Sequence, residues 1–322
     1  MKELVPIHTS PALPTRTMPM MIVEAGPHAR FAWDEFFEGQ IRNPHTRAAY
    51  RHAVRTFLCW TETRGVSLTQ IEPGLVGLYF NQHLGSPPTR KLHLAGLRAF
   101  FDVLVNRHVL ILNPAATVRG ERYSVVEGKT PEISKEQARA LLESIGLMRP
   151  VDVRDRALIQ TLIYTAARAG AVAGLRVRDF VWDGTQYSLR FAEKGGKSRN
   201  IPVRHDLEQT LRAYLASLRG PSPPKDAPLF RSIAGRTGQL TDQPLRNIDI
   251  TRMLRRRLHA AGLPVQFSAH SFRVATVTDL LTQGVPLEDV QHLAGHADPR
   301  TTRLYDRRQK HVTRNMVERI SI

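Results

Sequence analysis

Apolar residues recur at intervals of three and four along nearly the whole chain from Phe31 onward, and they give way to alternation once, between Tyr187 and Val203. A period near 3.6 puts such residues on one stripe of a helix and a period of two puts them on one face of a strand. The chain is therefore predicted to be mainly α with a small β-sheet, an α+β fold. In the first half, Asn43-Pro44 opens a stretch in which Tyr50, Ala53, Val54, Phe57 and Leu58 share a face, ending at Gly65. A second stretch holds Leu75, Leu78, Tyr79 and Leu84, and a third runs from Thr89 through Leu97 and Phe101 to Asn113-Pro114. These predict a helical domain over residues 29–117. Residues 1–28 carry Pro6, Pro11, Pro14, Pro19 and Pro27 with little periodicity and read as a flexible arm. Periodicity lapses again over residues 118–130, which suits a linker.

The second domain is expected over residues 131–322. Ser134 with Gln137 three residues on forms a capping-box pattern, opening a helix to about Ile145, and another helix follows over about Val153–Ala167. Residues 186–203 read as a β-hairpin turning at Lys194-Gly195-Gly196-Lys197. Further helices are expected at His205–Arg219, Asn247–Ala261, Ala269–Gln283 and Pro286–Ala294. A last one has Asp298 as N-cap and Pro299 at its first position, and runs through Tyr305.

Forty-six Lys and Arg against 29 Asp and Glu leave a formal charge of +17. Hydrophobic content of 42% is that of a folded body, so the charge belongs to a surface suited to a polyanion, nucleic acid first. In the helical domain Arg47, Arg51, Arg90, Lys91 and Arg98 are the candidates for gripping phosphate, as is Lys197 at the hairpin turn. The single cysteine, Cys59, excludes an internal disulfide and a multi-cysteine zinc site. No apolar run reaches the roughly 20 residues that span a bilayer, and no signal-type segment opens the chain, so a cytoplasmic, nucleoid-associated protein with no membrane partner is expected.

No cofactor is expected either. Gly195-Gly196-Lys197-Ser198 ends like a phosphate-binding loop, but the glycine required five positions before the second one is Phe191. His292 and His296 stand four apart, yet Leu293 occupies the position of a zincin base and Gly295 interrupts the turn. What remains is an ordered set of cations and one tyrosine. Arg168 lies in TAARAGAVAGL and closes a buried-looking helix, and Lys194 lies in EKGGKSRNIPV. His270 and Arg273 share one helix face in HSFR, and His296 and Tyr305 lie in LAGHADPRTTRLYDR.

These strings, in this order, resemble the motifs of the tyrosine recombinases of the phage-integrase family, and the resemblance extends over about residues 40–320. It implies a helical core-binding domain followed by a catalytic domain. It also implies a site-specific recombinase in which Tyr305 attacks a scissile phosphate, leaving a 3′-phosphotyrosyl link and a free 5′ hydroxyl. A phenol with a pKa near 10 is ionised about one part in a thousand at pH 7, a cost of about 4 kcal/mol that neighbouring cations must offset. Arg168 and Arg273 suit the charge developing on the phosphate oxygens, because a guanidinium stays charged and donates bidentately. His270 and His296 can donate to the same oxygens or take the phenol proton, and both assignments stay open. By resemblance Lys194 protonates the departing 5′ oxygen, with Lys197 as its competitor. The resemblance further implies a tetramer on two double-stranded recombination sites, the tail near Val312–Ile320 being a candidate for docking on a neighbour. This chain departs from the family at Ala166, where glycine is usual, at Ala171, where an acid is usual, and at Val274, where histidine is frequent. Two rival readings are a DNA-relaxing enzyme of the type IB topoisomerase kind and a DNA-binding regulatory or architectural protein whose active site has decayed.

Overall fold

The computed structural model describes residues 18–121, 130–192, 198–218, 222–235 and 237–305. The chain divides into two compact units, Met1–Ser124 and Val125–Ile322.

The first unit contains α1 (Met20–Glu24), α2 (Pro27–Asp34, continuing into a π-helical turn at Glu35–Gln40), α3 (Pro44–Glu62), α4 (Pro73–Gln82) and α5 (Pro87–Asn106). Prolines start α2, α3, α4 and α5, because the fixed φ of proline matches the helix and its missing N–H lies where no intrahelical partner exists. Before α3, the Asn43 side chain also accepts from the backbone N–H groups of His45 and Thr46. The buried faces meet in an aromatic core of Phe36, Phe37, Phe57, Tyr79, Phe100 and Phe101. Within it Phe57 meets Tyr79 edge-on at 5.0 Å between ring centres. Each such ring contributes about 1.5–3 kcal/mol through burial.

Two expectations are corrected here. The arm predicted through residue 28 does not extend that far, since Met20–Glu24 and Pro27 onward are helical and Met21 and Ile22 lie in the core. Two apolar side chains that find a core outweigh the local proline signal. Leu84 falls outside α4 and is 76% exposed, because the chain turns at His83.

The second unit opens with α6 (Lys135–Glu143), and Ser134 and Gln137 make the expected reciprocal cap. Next comes α7 (Pro150–Thr165), buried on nearly every side, and then the short α8 (Ala169–Ala173). Strands β1 (Phe180–Trp182), β2 (Tyr187–Ala192) and β3 (Ser198–Pro202) form an antiparallel sheet in that order, with Phe191 opposite Arg199. After α9 (His205–Ala216), β4 (Arg231–Ile233) and β5 (Leu240–Pro244) form a second ladder. The remaining elements are α10 (Asn247–Ala260), α11 (Ala269–Thr282), α12 (Leu287–Ala294) and α13 (Pro299–Arg303). Only the β2–β3 hairpin was expected. β1 and β4 have three residues each and are too short to display alternation.

A charged network braces α7. Asp155, fully buried, accepts from Arg154, Arg256 and Arg257, and Arg257 also reaches Asp152. Arg154 is itself fully buried and donates to the Arg231 carbonyl. The paired carboxylate is what makes burial of that guanidinium tolerable. Among the described residues no helix is long and apolar enough to cross a membrane.

Candidate active site

The end of α7 sets the geometry. Its C-cap, Ala166, sits in the left-handed region (φ 48°, ψ 22°), a conformation that a side chain makes costly. The carbonyl of Ala166 accepts a 2.5 Å hydrogen bond from Nη1 of Arg273 on α11. The Arg273 side chain is 1% exposed, and its Nη2 is buried without a hydrogen-bond partner among the described residues. Burial and the charge of Arg168 push its pKa down to about 10, and the Tyr305 hydroxyl opposes that shift. A buried guanidinium with an unanswered donor is primed for an anionic oxygen.

Tyr305 packs in a small apolar cluster with Ala166, Val274, Val277 and Leu281. Its hydroxyl is 3.2 Å from Nε2 of His270, one helical turn before Arg273. Its ring lies parallel to the His296 imidazole, with centroids 5.8 Å apart and an interplanar angle of 7°. Gly295, also left-handed at φ 63°, ends α12 and lets His296 turn inward, where Nδ1 pairs with the Thr302 hydroxyl at 2.9 Å. Burial first, then Arg273, Arg168, His270 and Arg199, lower the His296 pKa to about 4. His270 keeps part of its ring in solvent, but water removed from the rest, together with Arg273 and Arg168, lowers its pKa as well. Both imidazoles are therefore neutral at neutral pH. Since one ring nitrogen of a neutral imidazole has no proton, His270 can accept the phenolic one.

Arg168 lies beyond the helix it was expected to close, as the N-cap residue of α8. The left-handed turn at Ala166 ends α7 two residues early and brings Arg168 to the surface, with Nη1 3.5 Å from the Gly295 carbonyl. Thus Arg168, His270, Arg273, His296 and Tyr305, far apart in the sequence, surround one spot. Lys194 and Lys197 lie outside the described residues. Asp179 caps a 3₁₀ turn by accepting from the Arg176 N–H.

The profile of the Phage integrase family matches residues 131–311, more than half of the chain. This chain belongs to that family. It is accordingly a tyrosine recombinase, a DNA strand transferase of the site-specific class. Tyrosine recombinase XerC of Pelobacter propionicus is 28% identical over 270 residues, covering 82% of this chain and 84% of the relative. Tyrosine recombinase XerC of Halalkalibacterium halodurans is 29% identical over 287 residues, covering 85% and 88%. The fold matches the XerH site-specific recombinase bound to difH substrate, with TM-score 0.66, 20% identity and coverage of 92% and 94%. It also matches a lambda integrase dimer bound to a COC′ core site, with TM-score 0.64, 17% identity and coverage of 88% and 97%.

In the recombinase's helical unit, the arginines singled out for phosphate already serve the protein. Arg47 donates to the Ile41 carbonyl and to Glu38, and Arg51 pairs with the same carboxylate. Arg90 holds the Gly85 carbonyl and both oxygens of Glu121, and Arg98 holds the carbonyls of Ala115 and Val118. Lys91 is exposed on α5. Sequence reasoning missed Thr302, which fixes the His296 ring, and Arg199, whose charge acts on both His296 and Arg273. Alternation could have found Arg199, because Ile201 faces the core two residues away.

Proposed function

We propose that the recombinase cuts and rejoins DNA with Tyr305 as nucleophile. The Tyr305 oxygen attacks the phosphorus, the bond to the 5′ oxygen breaks, and the enzyme is left joined to the 3′ phosphate. His270 takes the phenolic proton, since its Nε2 stands within general-base distance of the hydroxyl. His296 supports the ring and donates toward the phosphate. Arg168 and Arg273 hold the nonbridging oxygens, Arg273 through its buried Nη2, which has no hydrogen-bond partner among the described residues. Lys194 returns a proton to the 5′ oxygen, with Lys197 as the alternative. The reverse attack by another strand's hydroxyl restores the phosphodiester, so the bond energy is conserved in the phosphotyrosyl link and no nucleotide or metal is consumed. Four cuts per exchange call for a tetramer on two recombination sites, acting on DNA in the cytoplasm.

The observation that carries this reading is the convergence of Tyr305, His270, His296 and Arg273. Relatives that span more than four-fifths of the chain are recombinases, which favours strand exchange over relaxation or a decayed site. The test is a pool of nicked genomic duplex fragments. Wild type is expected to yield a denaturant-resistant protein–DNA adduct that Tyr305→Phe does not form while still binding duplex. An adduct that survives this substitution removes Tyr305 from the role. Relaxation of a supercoiled plasmid lacking the recovered site would instead support the relaxing enzyme.

A further inference from the structure

Side chains alternate along a strand, so a charged residue at an inward position must find partners inside the protein. Arg199 holds such a position on β3, where it and Ile201 face inward and Ser198, Asn200 and Pro202 face outward. Its guanidinium lies 5.8 Å from the ring centre of Phe191, its partner in the β2–β3 register. Nη1 donates to the carbonyls of His292, at 3.1 Å, and Leu293. Both are in the last turn of α12, where the negative end of the helix dipole favours a cation, and the His292 carbonyl also accepts from the Gly295 N–H at 3.0 Å.

His296 follows that turn directly and is tied to it at both ends of its backbone. Its N–H donates to the Gln291 carbonyl at 3.1 Å, and its carbonyl accepts from Gln291 Nε2 at 3.0 Å. The placement of the imidazole against Tyr305 therefore depends on the end of α12, and Arg199 pins that end to the sheet. We propose that Arg199 is a positioning residue for strand transfer, stapling the root of the β2–β3 hairpin to the helix end that presents His296 to Tyr305. The same strand begins shortly after Lys194, so the staple also anchors one leg of the hairpin that supplies the proposed acid. Arg199 acts through His296, and in this respect the inference rests on the tyrosine reading above.

The experiment uses the full chain and the duplex recovered from wild-type adducts. Arg199→Met, Arg199→Gln and Arg199→Lys are compared with wild type for adduct rate, duplex affinity and the titration of the His296 ring protons by NMR. Loss of the adduct in wild type, or its survival in Tyr305→Phe, would defeat the tyrosine reading and leaves a separate signature. Given a tyrosine-dependent adduct, the two uncharged variants are expected to form it about 100-fold more slowly at unchanged duplex affinity. The His296 midpoint should move up toward the ordinary imidazole value in both, and Arg199→Lys should restore it. An uncharged variant that reacts at the wild-type rate overturns the proposal, as does a His296 midpoint that stays in place. If one uncharged variant does not fold, the other decides, and if neither folds Arg199 is a general folding staple and the proposal is wrong.

Discussion

Ala166 stands in a left-handed conformation beside the reacting groups, and replacing it by glycine exposes what that conformation costs. The strain of an L-residue there is roughly 1–2 kcal/mol, which glycine releases. Against this, glycine gives up a fully buried methyl, about 0.8 kcal/mol, and gains freedom in the unfolded chain, about 0.4–1 kcal/mol. The sum for Ala166→Gly lies within about 1 kcal/mol of zero. Ala157 provides an internal comparison, being equally buried but inside α7 with helical geometry. There the same substitution loses the methyl and about 1 kcal/mol of helix preference, so Ala157→Gly is expected to cost about 2 kcal/mol. Urea unfolding followed by circular dichroism measures both. Equal destabilisation at the two positions would refute the claim that Ala166 is strained. The conformation also has a task, because it aims the Ala166 carbonyl at Arg273. Ala166→Val cannot adopt it without severe clash and should slow adduct formation, whereas Ala166→Gly should not.

Other outcomes follow from the same geometry. His270→Gln keeps a donor but loses the base, and a drop of at least about 100-fold in adduct rate is expected, with loss of the acid limb of the pH–rate profile. A variant retaining that limb would assign it to another group. Asp155→Ala strands the buried Arg154 and should cost about 3–5 kcal/mol in denaturant unfolding, and a loss below about 1 kcal/mol would show the network to be dispensable. In the helical unit, His93 Nδ1 faces both the Tyr79 hydroxyl and His83 Nε2, and burial, His83 and His52 lower its pKa to about 4. The unfolded chain, with an imidazole near 6.5, binds the proton more readily. Stability is thus complete above about pH 6.5 and falls as pH drops toward 4, by about 3 kcal/mol for this group. His93→Gln should flatten that part of the pH–stability curve, and an unchanged slope would place the proton elsewhere.

Local rules made much of this protein legible in one dimension. Prolines and caps set the helix starts at Pro44 and Pro299, the period of three to four set the inward faces, and alternation set β2 and β3. The order of Arg168, His270, Arg273, His296 and Tyr305 was legible too, through the resemblance of the short strings that hold them to the motifs of the phage-integrase family. What the linear text could not hold were properties created by approach. Met20–Glu24 is helical because a core accepts Met21 and Ile22. Arg47, Arg51, Arg90 and Arg98 read in sequence only as cationic candidates for phosphate, and the partners that folding gives them, Glu38, Glu121 and backbone carbonyls, are not written there. His270 and His296 are interchangeable in sequence and differ only once Nε2 of one meets the tyrosine hydroxyl while the ring of the other lies parallel to the phenol ring, 5.8 Å between centroids. Sequence determines which groups are present and which way each faces along its own helix or strand. Tertiary structure decides which charges lose water together, and that shared desolvation sets the protonation states on which the chemistry depends.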